Sequence, residues 1–318
     1  MTRYNTRALV ESALLAVIGM VLVLLGQYVP FLGIAALFLW PLPSALVVLR
    51  HGMRWGVMAS IITALCLSLF MNWITALSLW VLFGLTGLTF GYAVLKQFSP
   101  AKIIVVTSAA FLMGILSEFL LAYLLTGSPM RYLDEMLRAM QASAGLTEKA
   151  LGPSPFTDMF KDFDLLKDQI LKVLPFTLVF SAMLQSYINF EVLRRVLDRF
   201  GHHLDPLPPF SRRIFPEYIA HGAIISYTAA VLGIRYKLPV VEQVGQNIFA
   251  GVSFLLLIET ASVVSYYISR QGLPKVFSVL TVFYIVANPV LNVLAVFFGM
   301  IDILFDFRRL RYGYLNDM

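Results

Sequence analysis

Apolar residues gather in long unbroken runs, at about 8–28, 31–50, 55–71, 73–96, 101–126, 169–192, 218–235, 241–269 and 276–306. A helix of about 20 apolar residues crosses the hydrocarbon core of a bilayer. In lipid every backbone polar group must be satisfied internally, so runs of this kind resolve into helices. Charged residues make up only 13% of the 318 positions, half the ~25% usual in a soluble domain. The chain therefore reads as an all-α polytopic transmembrane helical bundle, with eight to ten membrane segments expected.

Lysine and arginine orient such a bundle, because they collect in the short cytoplasmic loops. Arg3 and Arg7 place the N-terminus inside. RHGMR at 50–54, KQFSPAK at 96–102, the arginine-rich stretch 194–213 and RQGLPK at 270–275 then fall on the same side. The connection 127–168 falls outside, with five basic and seven acidic residues. The net charge of +6 is thus spread over loops and forms no nucleic-acid-binding face. The last run has basic residues at both ends, Lys275 and Arg308-Arg309-Arg311. Its 31 residues are expected to fold back as two short helices broken at Asn288-Pro289, a single tilted helix being the other reading. Both termini are then cytoplasmic. Three parts follow: an N-terminal five-helix half at 1–126, an outer amphipathic loop at 127–168, and a C-terminal half at 169–318 with a basic loop at 193–217.

Within the outer loop, Tyr132, Leu133, Met136, Leu137 and Met140 recur at helical spacing. They suit a helix lying on the membrane surface or a lid over a cavity. The basic loop, with its prolines, aromatics and Arg212-Arg213, suits the inner membrane surface or a docking partner.

Polar residues inside spans carry whatever chemistry exists here. An acid at the bilayer centre costs about 2.5–3.5 kcal/mol on insertion scales, so it needs a partner or an aqueous cavity. Glu118 in LMGILSEFLLAY and Glu259 in FLLLIETASVV are such acids. Gln185 and Asn189 share a helix face, as do Asn288 and Asn292. Together these six are expected to bind a small solute, or else to fasten helices by interhelical hydrogen bonds. Trp40, before Pro41 and Pro43, could stack on the same ligand; Trp73 and Trp80 offer further flat faces. Asp302 and Asp306 stand one turn apart. Asp306 is expected to pair with Arg309 where the helix leaves the membrane, and Asp302 either shares that exit or links to a proton or cation. Ala8, Ser12 and Ala16 form a stripe that suits internal packing or a second membrane subunit.

No GxxxxGK[ST], HExxH or GxSxG pattern occurs, and Cys66 stands alone. The His202-His203 pair lacks the spacing of a metal site. Neither an enzyme, a cofactor nor a metal is expected.

LPPFSRRIFPEY at 207–218 and GMIDILFDFRRLR at 299–311, with the opening spans and acidic outer loop, resemble the YybS-like family of bacterial membrane proteins. That family has no established activity, so the resemblance implies the bacterial cytoplasmic membrane and a multi-pass topology. Residues 8–64, a small-residue first helix and then YVPFLGIAALFLWPLPSALVVLRHGMRWGVMAS, are similar to the substrate-binding (S) subunits of energy-coupling-factor transporters. That resemblance implies a bundle that binds a small solute and docks a transmembrane coupling subunit driven by separate ATPases. A small-solute-binding transporter component is the function expected; a membrane scaffold that docks other proteins is the alternative.

Overall fold

The computed structural model describes residues 3–28, 38–152, 163–207, 209–212, 215, 217–236 and 238–310. The Pro30–Gly33 hinge, most of the GPSP break, Arg213 and Arg311 lie outside the described residues. All regular structure among the described residues is helical. In order come α1 (Arg3–Tyr28), α2 (Pro41–His51), α3 (Met53–Leu67) and α4 (Trp73–Leu79). A π-helical turn at Trp80–Gly84 leads into α5 (Leu85–Leu95), α6 (Pro100–Thr126), α7 (Met130–Leu151), α8 (Phe163–Lys172) and α9 (Leu174–Arg199). A single 3-10 turn at Phe210–Arg212 precedes α10 (Tyr218–Arg235), α11 (Pro239–Arg270), α12 (Lys275–Ala287) and α13 (Pro289–Phe305).

Among the described residues five helices are long and apolar enough to cross a bilayer: Thr6–Gly26, Trp73–Leu95, Pro100–Thr126, Leu174–Arg199 and Val240–Arg270. The pair α12 and α13, bent by 112° at its break, makes a sixth if taken as one span. Eight to ten segments were expected because every apolar run was read as a crossing. Among the described residues three further runs give shorter helices, α2 with 11 residues, α3 with 15 and α10 with 18, below the ~20 a crossing needs. The last run does break at Asn288-Pro289. Asn288 caps α13, its side chain accepting from the backbone N–H groups of Val290 and Leu291, and Pro289 opens the helix where a missing N–H costs nothing.

The chain forms two compact units, Met1–Leu166 with Leu178–Leu207, and Lys167–Thr177 with Pro208–Met318. This differs from the expected halves chiefly in α9, most of which belongs to the first unit. Phe190, Leu193 and Leu197 of α9 are fully buried in a core with Ala45, Leu46, Phe90, Ala93 and Ile103. A stripe at four- and three-residue spacing must be covered somewhere, and the first unit covers it.

Short α2 sits at the centre of the first unit, against α1, α3 and α5. Its approach to α5 depends on glycine. A Cβ on Gly87 would lie 2.6 Å from the Pro41 carbonyl oxygen, and one on Gly91 would lie 2.9 Å from that of Ala45. The G-x-x-x-G spacing thus lets two backbones touch. Ala8, Ser12 and Ala16 of α1 are buried, Ala16 against Val47 and Ala59. The stripe is engaged inside this bundle, so it does not lie open for a separate subunit. Small side chains there admit α2 and α3. The opposite flank of α1, with Leu9, Leu14 and Val17, is exposed and suits lipid. In α7, Leu133 and Leu137 are buried as the periodicity requires, and the Tyr132 ring meets Phe119 edge-on at 5.2 Å.

In the second unit α10 and α11 pack most extensively, and α13 lies along α11. A Cβ on Gly299 would sit 2.2 Å from the Leu256 carbonyl oxygen, so this seam also runs backbone to backbone.

Candidate functional site

A small pocket of about 30 Å³ lies in the first unit, walled by α1, α2, α3, α4 and the π-helical turn. Pro41 and Pro43 begin α2 in the first-turn positions that proline favours, which fixes where Trp40 enters. The Trp40 ring then stacks on Phe83, centroids 4.1 Å apart and planes 14° from parallel. Trp80 opens the π-helical turn, a rare geometry that recurs at functional sites.

Three hydroxyls face the pocket, and all three are committed to helix carbonyls as donors. Ser44 Oγ donates to the Pro41 carbonyl at 3.1 Å, and Ser60 Oγ to that of Val57 at 2.9 Å. Thr63 Oγ1 lies 2.9 Å from the Ala59 carbonyl and 3.2 Å from that of Ala16 across the helix interface. Only oxygen lone pairs are left for an occupant. The Trp80 Nε1–H is buried and meets no acceptor among the described residues, so it supplies a donor. None of the described lining residues is charged. The pocket therefore offers several acceptors, one donor and two aromatic plates to a neutral group.

Of the residues picked out in sequence, Trp40 and Trp80 line this pocket, and the polar candidates and Trp73 are not among its described lining residues. Glu118, in the C-terminal half of α6, is within hydrogen-bonding reach of Ser78. Burial, and then the Glu118 carboxylate, push the Tyr132 phenol on α7 above its ordinary range. Gln185 Nε2 donates to Asn189 Oδ1 at 3.2 Å, along one helix. Asn189 Nδ2 and Ser186 Oγ, one turn apart on α9, are buried and have no partner among the described residues. Asn288 is a helix cap, and Asn292 follows it one turn into α13. Glu118, Gln185 and Asn189 belong to one unit, Glu259, Asn288 and Asn292 to the other. Within the first unit Gln185 and Asn189 meet along one helix, and within the second Asn288 serves as a helix cap.

Glu259 and Asp302 meet in the second unit around Arg308. Its Nη2 donates to Glu259 Oε1 and, at 2.9 Å, to Asp302 Oδ2. Its Nη1 donates to Ser262 Oγ at 2.7 Å, and Ser262 Oγ donates onward to the Phe210 carbonyl at 2.7 Å. The Phe215 N–H donates to Glu259 Oε2 at 3.0 Å. The side chains of Arg308, Glu259 and Asp302 are fully buried. Arg308 was expected at the membrane surface with Arg309. It turns inward because Asp306 (φ 44°) and Arg309 (φ 53°) both adopt the left-handed conformation, which reverses the chain after α13. The expected Asp306–Arg309 ion pair is not among the described contacts; the Asp306 carbonyl accepts from the Arg309 N–H at 2.9 Å, and its Oδ1 accepts from the Leu310 N–H at 3.0 Å, which fixes the turn. One guanidinium thus ties α11, α13 and the 210–215 segment together.

Sequence reasoning did not find Ser44, Ser60, Thr63 or Arg308. Serine and threonine inside apolar helices usually bond their own backbone, so nothing in the pattern separates these three from Ser68 or Thr228. For Arg308 the sign was partial: Asp302 could reach Arg308 or Arg309 with the help of a neighbouring helix, and Glu259 was an in-span carboxylate with no cation assigned.

The sequence profile described as "Predicted membrane protein (DUF2232)" matches residues 17–303. The protein named "Uncharacterized protein YybS" of Bacillus subtilis (strain 168) is 24% identical over 323 residues, covering 96% of this chain and 98% of that one. No solved structure matches. The match over residues 17–303 takes in both units, and the chain belongs to the DUF2232 family of predicted membrane proteins.

Proposed function

We propose that this multi-pass protein binds a small neutral solute in the pocket beside Trp40 and Trp80. It would work as an S-subunit-like component of an uptake system in the bacterial cytoplasmic membrane, with its N-terminus inside and other chains supplying energy. The observation that carries the reading is the pocket itself: a small hollow with no charged residue among its described lining, and a buried indole N–H with no acceptor among the described residues. Gly19, Trp40, Pro43, Ser44, Ser60 and Thr63 line it, and all belong to the 8–64 stretch that resembles transporter S subunits.

A volume of about 30 Å³ has room for a water or two, since one water needs roughly 10–15 Å³. Solute pockets measure about 300–1,000 Å³, so this is the closed form and binding requires it to open. A ligand that prefers the open form shifts the population towards it. Gly84, whose missing Cβ would lie 2.9 Å from Trp80 Cδ1, gives the indole its place to rest.

The test is thermal unfolding of the full chain in detergent against neutral heterocyclic vitamins, neutral amino-acid amides and sugars. A ligand is expected to raise the midpoint, by about 2.7 kcal/mol at a hundredfold excess over Kd. Gly19→Leu should abolish the shift: a Cβ at Gly19 has ordinary contacts, 3.6 Å to Thr63 and 3.7 Å to Pro43, and the rest of the side chain enters the hollow. Glu118→Gln should leave the shift intact. No stabilisation by any neutral compound, or stabilisation that survives Gly19→Leu, overturns the reading.

A further inference from the structure

Trp80 and Ala64 belong to two cavities at once. On one side is the small pocket. On the other is a groove of about 350 Å³ between α3 and the α4–π segment, lined by Ile61, Leu65, Trp73, Ala76 and Leu77 together with those two residues and Ser68. The groove is apolar almost throughout. Leu65 and Trp73 stand 63% and 65% exposed, a degree of apolar exposure that in a membrane helix means contact with lipid. Ala64 and Trp80 border both, so the methyl group and the indole ring form a wall that pocket and groove share. We infer that Trp80 is a lateral gate, and that the ligand is a neutral amphiphile that enters from the bilayer, its polar end in the pocket and its apolar body in the groove.

The chemistry of the lining narrows the class. An anion would find no cation among the described lining residues, and an ammonium no carboxylate. A hydroxyl or carbonyl on a hydrocarbon or flat ring body fits: it accepts from Trp80 Nε1–H, and a hydroxyl also donates to the lone pairs of Ser44, Ser60 or Thr63. Moving that group out of water is affordable only with such partners, because an unpaired buried polar group costs several times what a paired one returns. The π-helical turn lets the gate move. It carries one residue more than an α-helical turn at the position of Trp80, and shifting that extra residue along the helix swings the indole without unwinding the span. The moving plate is backed by Gly84, not by a bulkier side chain.

This inference rests on the pocket being a ligand site, and the experiment separates the two. The full chain with Trp55→Phe and Trp73→Phe keeps Trp40 and Trp80 as reporters and is placed in phospholipid vesicles. A long-chain alcohol brominated near its hydroxyl is titrated into the lipid, and acrylamide is added from water in a parallel series. The expected result is saturable quenching by the bromo-alcohol, little quenching by acrylamide, and loss of the saturable part in Ala64→Leu, which thickens the shared wall. Should Ala64→Leu not fold, Trp80→Phe serves: it removes the N–H and keeps the plate, so half-saturation by the alcohol should rise about tenfold while a bromo-alkane without the hydroxyl is unaffected. Quenching that rises linearly, without saturation and equally in both variants, overturns the gate. Ready acrylamide quenching that a bound water-soluble ligand suppresses also overturns it, and leaves the pocket as a solute site entered from water.

Discussion

Arg308 holds the second unit at the level of single atoms. Two carboxylates and one guanidinium share a place with no solvent exposure, so removing the cation leaves two acids buried together. Breaking a buried pair from one side costs about 3–5 kcal/mol, and Arg308→Met should lower thermal stability by at least that much. Glu259→Gln should cost much less, since Arg308 keeps Asp302 as its counter-ion and the amide still accepts from Phe215 N–H. The triple change Arg308→Met, Glu259→Gln, Asp302→Asn should recover most of the loss, and a triple variant as unstable as Arg308→Met would contradict the charge argument. Asn288 works at the same scale. Its carboxamide satisfies two orphan N–H groups of α13, so Asn288→Ala should cost about 1 kcal/mol, read as a shift in the unfolding midpoint.

Helix seams are where glycine decides the packing. Gly87→Ala would push a Cβ into the Pro41 carbonyl and the Ser44 hydroxyl, and overpacking of this kind costs about 1–3 kcal/mol. Gly145→Ala makes the control, because nothing lies within 4 Å of its added Cβ and alanine favours a helix by about 0.5–1 kcal/mol. The pair should move stability in opposite directions in one melting series. The same contrast explains what sequence could convey. The break at Asn288-Pro289 was legible because a cap and a first-turn proline are rules read from adjacent residues. The helical face of α7 was legible from spacing alone. The union of Glu259 with Arg308, 49 positions apart, was not, since it needs α11 to lie beside α13 and two non-glycine residues to turn left-handed. Likewise the split of Gln185 and Asn189 from Glu259 follows from which core claims α9, and periodicity gives a buried face without naming its partner.

At the scale of the molecule, two units divide the labour. The first carries the hollow with its indoles and hydroxyls, and the second is closed by a buried ion cluster. Short α2 and α3 in the first unit leave room that full-length crossings would fill, which is why the pocket lies beside them. Native mass spectrometry of the full chain, released from its own membranes, measures the central claim most directly. The account predicts a neutral small molecule bound to the first-unit pocket, present on the unaltered chain and on Arg308→Lys, and absent from Gly19→Leu. A chain that emerges bare, or a molecule that stays bound once Gly19→Leu has filled the hollow, would contradict it.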